Sequence, residues 1–592
     1  MRRATATIAL IMFVTLAGFS GSGERFVAAP MAIDNILPQP RIEHRVPPLL
    51  KSAAITWTII DSMPNPFGTG SRGVKPMAFD PATNSVVVVY RGHLGYATSV
   101  GQLWYSVSRD AGNTWRRVSE LNAGTPTRSR YPSAIISNPT NSTDSNQTLF
   151  VYTAPQVLVS GSGFGDILYG VDITGGGSPF AVADEAFGQY WSNLPIWAAN
   201  GTPDHQIFWV CYTGTTQSDF MLWRTSDFVS INQSVPPTWN NTNFQAGARR
   251  DIWGAYRNGR SYYSIYGNFL SPDPNEVYNI GYSMSTNNGA TWGGWNYQQP
   301  DWRSTPGLGM NYDLWIYGGP GNFSQDMLVD ANDRVHLFEV VYDTLTLERS
   351  VVEIYETGSG WSSKIIQPDL KESTNLLYGT LNQMGNHMQA SISQDGAVMS
   401  LVWLDAATQG DSIPDIWFSA RHINGNWSAP ENLTQTPNLG ELMLHASTTL
   451  KTNGGNSYTA FLGRTYEIGI SSYPPNENNP AYFYFGTHTF TVAPASVGGG
   501  SGQLPLSHSL GQNYPNPFNP STEIRFMLAQ GTDVKLTVSN VLGEEVASLL
   551  SGYKEAGSHS IIFNAASLSS GVYFYTLKAG RFVETKKMLL VR

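Results

Sequence analysis

The feature that most restricts the fold of this chain is a repeated unit. Its first copy begins with the strand-like segment Pro76-Met77-Ala78-Phe79, turns over Asp80-Pro81-Ala82-Thr83-Asn84, and continues as Val86-Val87-Val88-Val89-Tyr90. A hairpin of alternating apolar and polar residues completes it. Comparable segments start near Pro132, Pro195, Ile252, Met327, Met388 and Ala446, so successive anchors are 56, 63, 57, 75, 61 and 58 residues apart. The copy near Met388 is the most legible: Ala390-Ser391-Ile392-Ser393, the turn Gln394-Asp395-Gly396, Val398-Met399-Ser400-Leu401-Val402-Trp403, then Ile416-Trp417-Phe418-Ser419-Ala420.

Four-stranded units recurring at such a period are the sequence signature of a β-propeller. A pair of separate sandwiches leaves the period unexplained. An extra strand, Ile55-Thr56-Trp57-Thr58-Ile59-Ile60, precedes the first unit. Pairing it with the last unit closes the ring and removes two exposed edges. The expected fold class is therefore all-β: a seven-bladed (alternatively six-bladed) β-propeller followed by a small C-terminal β-sandwich.

Composition narrows the function. Charged residues are 13%, aromatics 12%, and the formal charge is −9 with no basic run, which excludes a nucleic-acid partner. The single cysteine, Cys211, permits no intrachain disulfide or cysteine-based metal cluster, and its apolar setting predicts a buried, inert thiol. Arg2 and Arg3 followed by Ile8-Ala9-Leu10-Ile11-Met12-Phe13-Val14 read as an export signal, too short for a comfortable membrane span. The expected plan is a signal peptide over 1–23, an extended lead-in over 24–53, and the propeller over 54–493. A Gly/Ser linker over 494–505 and a β-sandwich over 506–592 follow.

Within the first unit lies Ser108-Arg109-Asp110-Ala111-Gly112-Asn113-Thr114-Trp115, directly after the alternating run Leu103-Trp104-Tyr105-Ser106-Val107. Asp-x-Gly is hairpin chemistry: the carboxylate bonds the turn backbone and glycine accepts positive φ. The pattern recurs as Ser285-Thr286-Asn287-Asn288-Gly289-Ala290-Thr291-Trp292. It resembles the Asp-box (BNR) hairpin of sialidase-like β-propellers, in which Ser108, Asp110, Gly112 and Trp115, and likewise Ser285, Asn287, Gly289 and Trp292, form a structural corner remote from the active site. That family has six blades, hence the alternative count.

The end of the chain carries a second resemblance. Gln512-Asn513-Tyr514-Pro515-Asn516-Pro517-Phe518-Asn519-Pro520, the strand Ser570-Gly571-Val572-Tyr573 and the ending Lys586-Lys587-Met588-Leu589 resemble the type A C-terminal sorting domain of the type IX secretion system. The resemblance implies that residues 506–592 are recognised by that machinery and that the protein reaches the outer-membrane surface or the medium.

Patterns for zinc proteases, P-loops, dinucleotide folds and nucleophile elbows are absent. The sialidase resemblance implies three arginines holding a substrate carboxylate, a tyrosine nucleophile paired with Glu, and an Asp acid/base. The first of those arginines belongs to an Arg-Ile-Pro motif at the start of the first blade. His44-Arg45-Val46-Pro47 spells it without a patterned strand behind it, and Val74-Lys75-Pro76 has the register but a lysine, which lacks the planar fork.

Aligning the units places Lys75, Arg130, Asp251, Asp326, His387 and His445 at or next to the starts of the innermost strands. Two readings follow. In one, Lys75, Arg130 and His445 hold an anionic or hydroxylated ligand, while Asp251, Asp326 and His387 are the acid/base or metal candidates. In the other, these side chains pair with one another or with water. Trp295, Trp302 and Trp315 crowd the longest insertion and suit stacking on sugars as well as core filling. No cofactor is called for. Calcium at Asp326, Asp330, Asn332 and Asp333 is the alternative to reading Asp330–Arg334 as a turn. The expected function is a secreted or cell-surface protein binding glycan or an extracellular protein. An exo-acting glycoside hydrolase and a structural or adhesion module are the alternatives.

Overall fold

In the computed structural model every named element of the described residues is a strand. Those residues are 55–63, 74–92, 102–122, 128–130, 132–157, 164–174, 180–184, 190–198, 206–213, 219–225, 232–234, 252–257, 260–267, 279–287, 289–294, 296–297, 308, 312–314, 325–346, 348–357, 360–371, 387–408, 414–435, 442–467, 481–492, 509–510, 513, 516, 518–528, 531–554, 557–580 and 582–591. The expected export signal, the lead-in and the linker lie outside them. The chain forms two compact units, one of Met1–Ala420 and Ser428–Val492, the other of Arg421–Trp427 and Ala493–Arg592.

The first unit is built from antiparallel meanders. Met77–Asp80, Ser85–Arg91, Leu103–Ser108 and Arg116–Glu120 make the first, in chain order. The pattern repeats from Ser133–Ser137, from Tyr190–Ala198, from Ile252–Arg257 and from Asp326–Val329. A nine-stranded sheet holds the remainder. It divides at a parallel link of only Ile392↔Thr449 and Ser393↔Leu450. One half begins at Gln389–Ser393, and the other begins at Leu442–Ala446 and Thr449–Gly454.

The first strands of these meanders meet in a closed series. Met77–Asp80 lies against Ser133–Ser137, which meets Tyr190–Ala198, then Ile252–Arg257, Asp326–Val329, Gln389–Ser393 and Leu442–Ala446; Thr449–Gly454 returns to Met77–Asp80. Sheets that meet through their first strands around a ring define a β-propeller. The apolar strands are buried on both faces because each sheet packs between two neighbours. Ser85–Arg91 is buried throughout, as its run of valines requires.

Ring closure uses the N-terminal strand, as the sequence led us to expect. Thr56–Met63 pairs antiparallel with Ala481–Thr491, from Thr56↔Thr487 to Met63↔Ala481. Met63, Met77, Phe79, Val88, Phe461, Phe483 and Phe485 form a common core between the first and last sheets. A buried polar knot adds to it: Asp61 accepts from the Tyr90 hydroxyl at 2.5 Å and from Arg117 Nε at 2.5 Å. The first and last parts of this unit are thereby held together.

In the second unit, Ser509–Leu510, Ser521–Leu528 and Gly557–Asn564 form one sheet, and Glu545–Lys554, Thr532–Ser539, Gly571–Ala579 and Phe582–Leu590 form another. The alternation of Val534, Leu536 and Val538 points one face of the second sheet inward. These residues share a buried cluster with Ile524, Phe526 and Leu528 of the first sheet.

Candidate functional site

Both Asp-box segments fold as hairpin corners. In the first, Ser108 Oγ donates to Asp110 Oδ1 at 2.7 Å and accepts from Gly112 N at 2.7 Å. Asp110 also accepts from Thr114 N at 2.8 Å and Thr114 Oγ1 at 2.6 Å. Slight burial works against the Asp110 carboxylate, but the Thr114 and Ser108 bonds hold its pKa below the usual value. Trp115 folds back to donate from Nε1 to Gly112 O at 3.0 Å. Gly112, at φ 91°, lies under Phe485, so a side chain there would collide with that ring. In the second corner Asn287 Oδ1 accepts from Ser285 Oγ at 2.9 Å and Thr291 N at 2.8 Å. Its Nδ2 donates to Thr291 Oγ1 at 2.8 Å, the reverse of the Asp110–Thr114 bond. Gly289 N completes the corner by donating to Ser285 Oγ at 2.8 Å. An amide thus replaces the acid without loss of the corner, which suits a structural role.

The strand-start residues are placed as follows. Lys75 immediately precedes the Met77–Asp80 strand, and its Nζ binds both Asp326 oxygens at 2.7 Å. The two are 8% and 2% exposed, so this is a buried ion pair joining the first sheet to the fifth across the ring. Asp326 is fully engaged, because Met327 N donates to Oδ1 at 2.8 Å and Ala390 N to Oδ2 at 2.7 Å. Lys75 and Asp326 are therefore each other's partners. The arrangement is that of the second reading, in which the strand-start side chains pair with one another.

His387 and His445 come together, ring centroids 5.4 Å apart and 70° between planes. His387 has a positive φ of 45°, a strained setting for a non-glycine residue. His445 lies within the Leu442–Ala446 strand, wholly buried, with neither ring nitrogen hydrogen-bonded. Burial, and secondarily His387, pushes its pKa well below the ordinary histidine value. It is a neutral imidazole. Arg130 sits just before the Ser133–Ser137 strand, its backbone N–H donating to Pro155 O at 3.2 Å. Asp251, Trp295, Trp302 and Trp315 lie outside the described residues, as does the side chain of Cys211.

One buried acid escaped sequence reasoning. Asp405 ends the apolar run Leu401-Val402-Trp403-Leu404 and is 1% exposed. Burial raises its pKa to about 7, against the lowering effect of Lys371 N and Ala406 N. The Val398–Ala406 strand pairs antiparallel with Gln389–Ser393, with Gln389 opposite Val402, which brings Asp405 to the level of the His387 end. A lone acid closing an apolar strand was its only signal.

The acidic stretch proposed for calcium is used otherwise. Asp330 caps its own turn, accepting from Asn332 N at 2.7 Å and Arg334 N at 3.0 Å. Its other oxygen faces His336 Nε2 at 3.3 Å, and His336 Nδ1 meets Glu353 at 2.6 Å. Asp333 faces Arg260 at 3.4 Å. Among the described residues no group of three or more His, Cys, Asp or Glu converges on a point. The turn reading of Asp330–Arg334 holds and the calcium alternative gains no support.

A cavity of about 190 Å³ occupies the channel. Lys75 lines its strand-start end, while Asn138, Asn141, Arg257, Gln394 and Thr449, at or beyond the far ends of inner strands, line the other.

Residues 512–591 match the family described as a secretion system C-terminal sorting domain. That domain directs export through the type IX system to the cell surface or the extracellular space. No curated protein matches the chain. Among solved structures, an α-L-arabinanase of Penicillium chrysogenum complexed with arabinobiose is 12% identical, covering 64% of this chain and 100% of its own at a TM-score of 0.34. The GH93 α-L-arabinofuranosidase of Fusarium graminearum is 11% identical over 62% of this chain and 98% of its own, TM-score 0.37. A Trypanosoma rangeli sialidase mutant is 10% identical over 91% and 89%, TM-score 0.38. Likeness at this level carries nothing about activity. Among the described residues no helix is long and apolar enough to cross a membrane.

Proposed function

We propose that this chain is a secreted or cell-surface β-propeller of seven blades that binds glycan without turning it over. The closed series of inner strands supports seven, with Thr56–Met63 completing the last blade. The domain plan is the one expected from sequence: export signal over 1–23, lead-in over 24–53, propeller over 54–493, linker over 494–505, and a sorting β-sandwich over 506–592. The shared core of the two C-terminal sheets supports the sandwich.

The observation that carries a binding role is the Lys75–Asp326 pair. Acid/base chemistry needs a group free to exchange a proton with substrate. Asp326 instead receives Lys75 and two backbone N–H groups. With Lys75 and Asp326 engaged with each other, we assign sugar stacking to the stretch of sequence that carries Trp295, Trp302 and Trp315. A glycan array run beside a chromogenic glycoside panel on the secreted protein tests this. Binding without turnover is expected. Turnover that disappears in Asp251→Asn would replace the reading with a glycoside hydrolase, and silence in both assays would replace it with a protein-binding or structural surface module.

A further inference from the structure

Arg257 ends the inner strand Ile252–Arg257 and lines the far end of the channel cavity. Its environment is unusual for a half-buried cation. Among the described residues it makes no ion pair; its one hydrogen bond runs from Nη2 to the backbone oxygen of Asp395 at 2.5 Å. Its Nε is buried without a hydrogen-bond partner. Three carboxylates lie in the neighbourhood, and each is engaged elsewhere. Asp395 accepts from Ser393 Oγ at 2.5 Å and Ala397 N at 3.1 Å, Asp330 caps its own turn, and Asp333 faces Arg260. Burial lowers the pKa of Arg257 even against those three charges. The guanidinium stays charged, so its burial is incompletely compensated.

The position of the guanidinium is built rather than incidental. It lies where the Cβ of residue 396 would stand, and Gly396, at φ 72°, leaves that space open. Beside it, Gln394 Nε2 donates to Asn141 Oδ1 at 3.4 Å, linking turns from two different sheets at the cavity rim. The lining carboxylate Asp80 accepts at Oδ2 from Thr83 N at 2.9 Å, Thr83 Oγ1 at 2.6 Å and Asn138 Nδ2 at 3.1 Å. The cavity therefore offers a guanidinium with a single backbone hydrogen bond among the described residues, beside two side-chain amides, in a volume of about 190 Å³.

We infer that the turn end of the channel is a binding site for a small hydroxylated carboxylate, its carboxylate on Arg257 and its hydroxyls on the Asn141–Gln394 rim. Arg matches carboxylate geometry through two parallel N–H···O bonds, and the rim amides donate and accept as hydroxyls require. The site is independent of the glycan reading, which concerns the strand-start side and its aromatic insertion.

Calorimetric titration of the full secreted protein with glycerate, glycerol and inorganic sulfate tests the inference. Glycerate is expected to bind, with glycerol at least about tenfold weaker for the loss of the charge-assisted bond to Arg257, and sulfate at least about tenfold weaker for the loss of the hydroxyl bonds to the rim. Arg257→Gln should lose at least about tenfold in glycerate affinity, and Gly396→Ala should do the same by displacing the guanidinium. Arg257→Lys, which keeps the charge without the fork, should fall between. Absence of glycerate binding, equal binding of glycerol or sulfate, or full affinity in Arg257→Gln would each overturn the proposal. Because Gly396→Ala strains the turn, Arg257→Gln is the deciding variant.

Discussion

The two ends of the channel handle charge in opposite ways. At the strand-start end, Lys75 and Asp326 neutralise each other below the surface, and His387, His445 and Asp405 are buried near them. At the turn end, Arg257 has a single backbone partner and borders an open cavity. Burial without water forces ionisable groups to pair or to discharge, which is the state of the first end. A half-buried guanidinium next to solvent can remain charged and available. The first end is therefore arranged for stability and the second for binding.

The largest effect that would sharpen this contrast comes from removing one half of the buried pair. Asp326→Ala should cost about 3–5 kcal/mol, because it strands Lys75 and two backbone donors. Urea denaturation measures it, and a loss below about 1 kcal/mol would mean that the pair is not structurally important. Lys75→Met combined with Asp326→Leu should recover part of that loss, since neither charge is then left alone.

The pH dependence comes next. Asp405 has a folded pKa of about 7 against 3.8 for the free side chain, so its contribution is complete below 3.8 and is lost as pH rises to about 7. Asp405→Asn should leave stability near pH 4 almost unchanged and raise it above pH 7. His445 acts with the opposite slope. Its folded pKa lies well below 6.5, so its contribution is present above 6.5 and lost as pH falls towards the folded value. His445→Leu should flatten the acid limb of the stability profile; an unchanged limb would show that the imidazole is not buried in solution.

The smallest stability effect belongs to the turn end. Arg257→Gln should shift the denaturation midpoint by no more than about 0.5 kcal/mol, the range for a side chain outside the packed core. A loss of several kcal/mol would break the comparison and make Arg257 a structural cation.

Much of this organisation is local and therefore legible in the residues. The Asp110 and Asn287 corners are closed by bonds spanning at most four residues, so Ser-x-Asp-x-Gly-x-Thr and its Asn variant announce them. The repeat spacing follows from strand and turn chemistry within each unit, and the sorting domain carries its own motifs. Even the pairing of the N-terminal strand with the last sheet followed from the need to close edges. The site was legible only as a set of positions. Lys75, Asp326, His387 and His445 could be aligned by their place in the repeat, but whether they served a ligand or each other could not be derived from that alignment.

That choice belongs to the tertiary structure. Lys75 meets Asp326 across 251 positions of sequence, and Arg257 reaches Asp395 across 138. Which inner strands face one another across the channel depends on how all the sheets close, a global property that no local pattern encodes. The residues themselves determined the strands, the corners, the repeat and the export address. Ring closure decided that Lys75 and Asp326 cancel each other and that Arg257 borders the cavity, because electrostatic pairing depends on distance in space rather than along the chain.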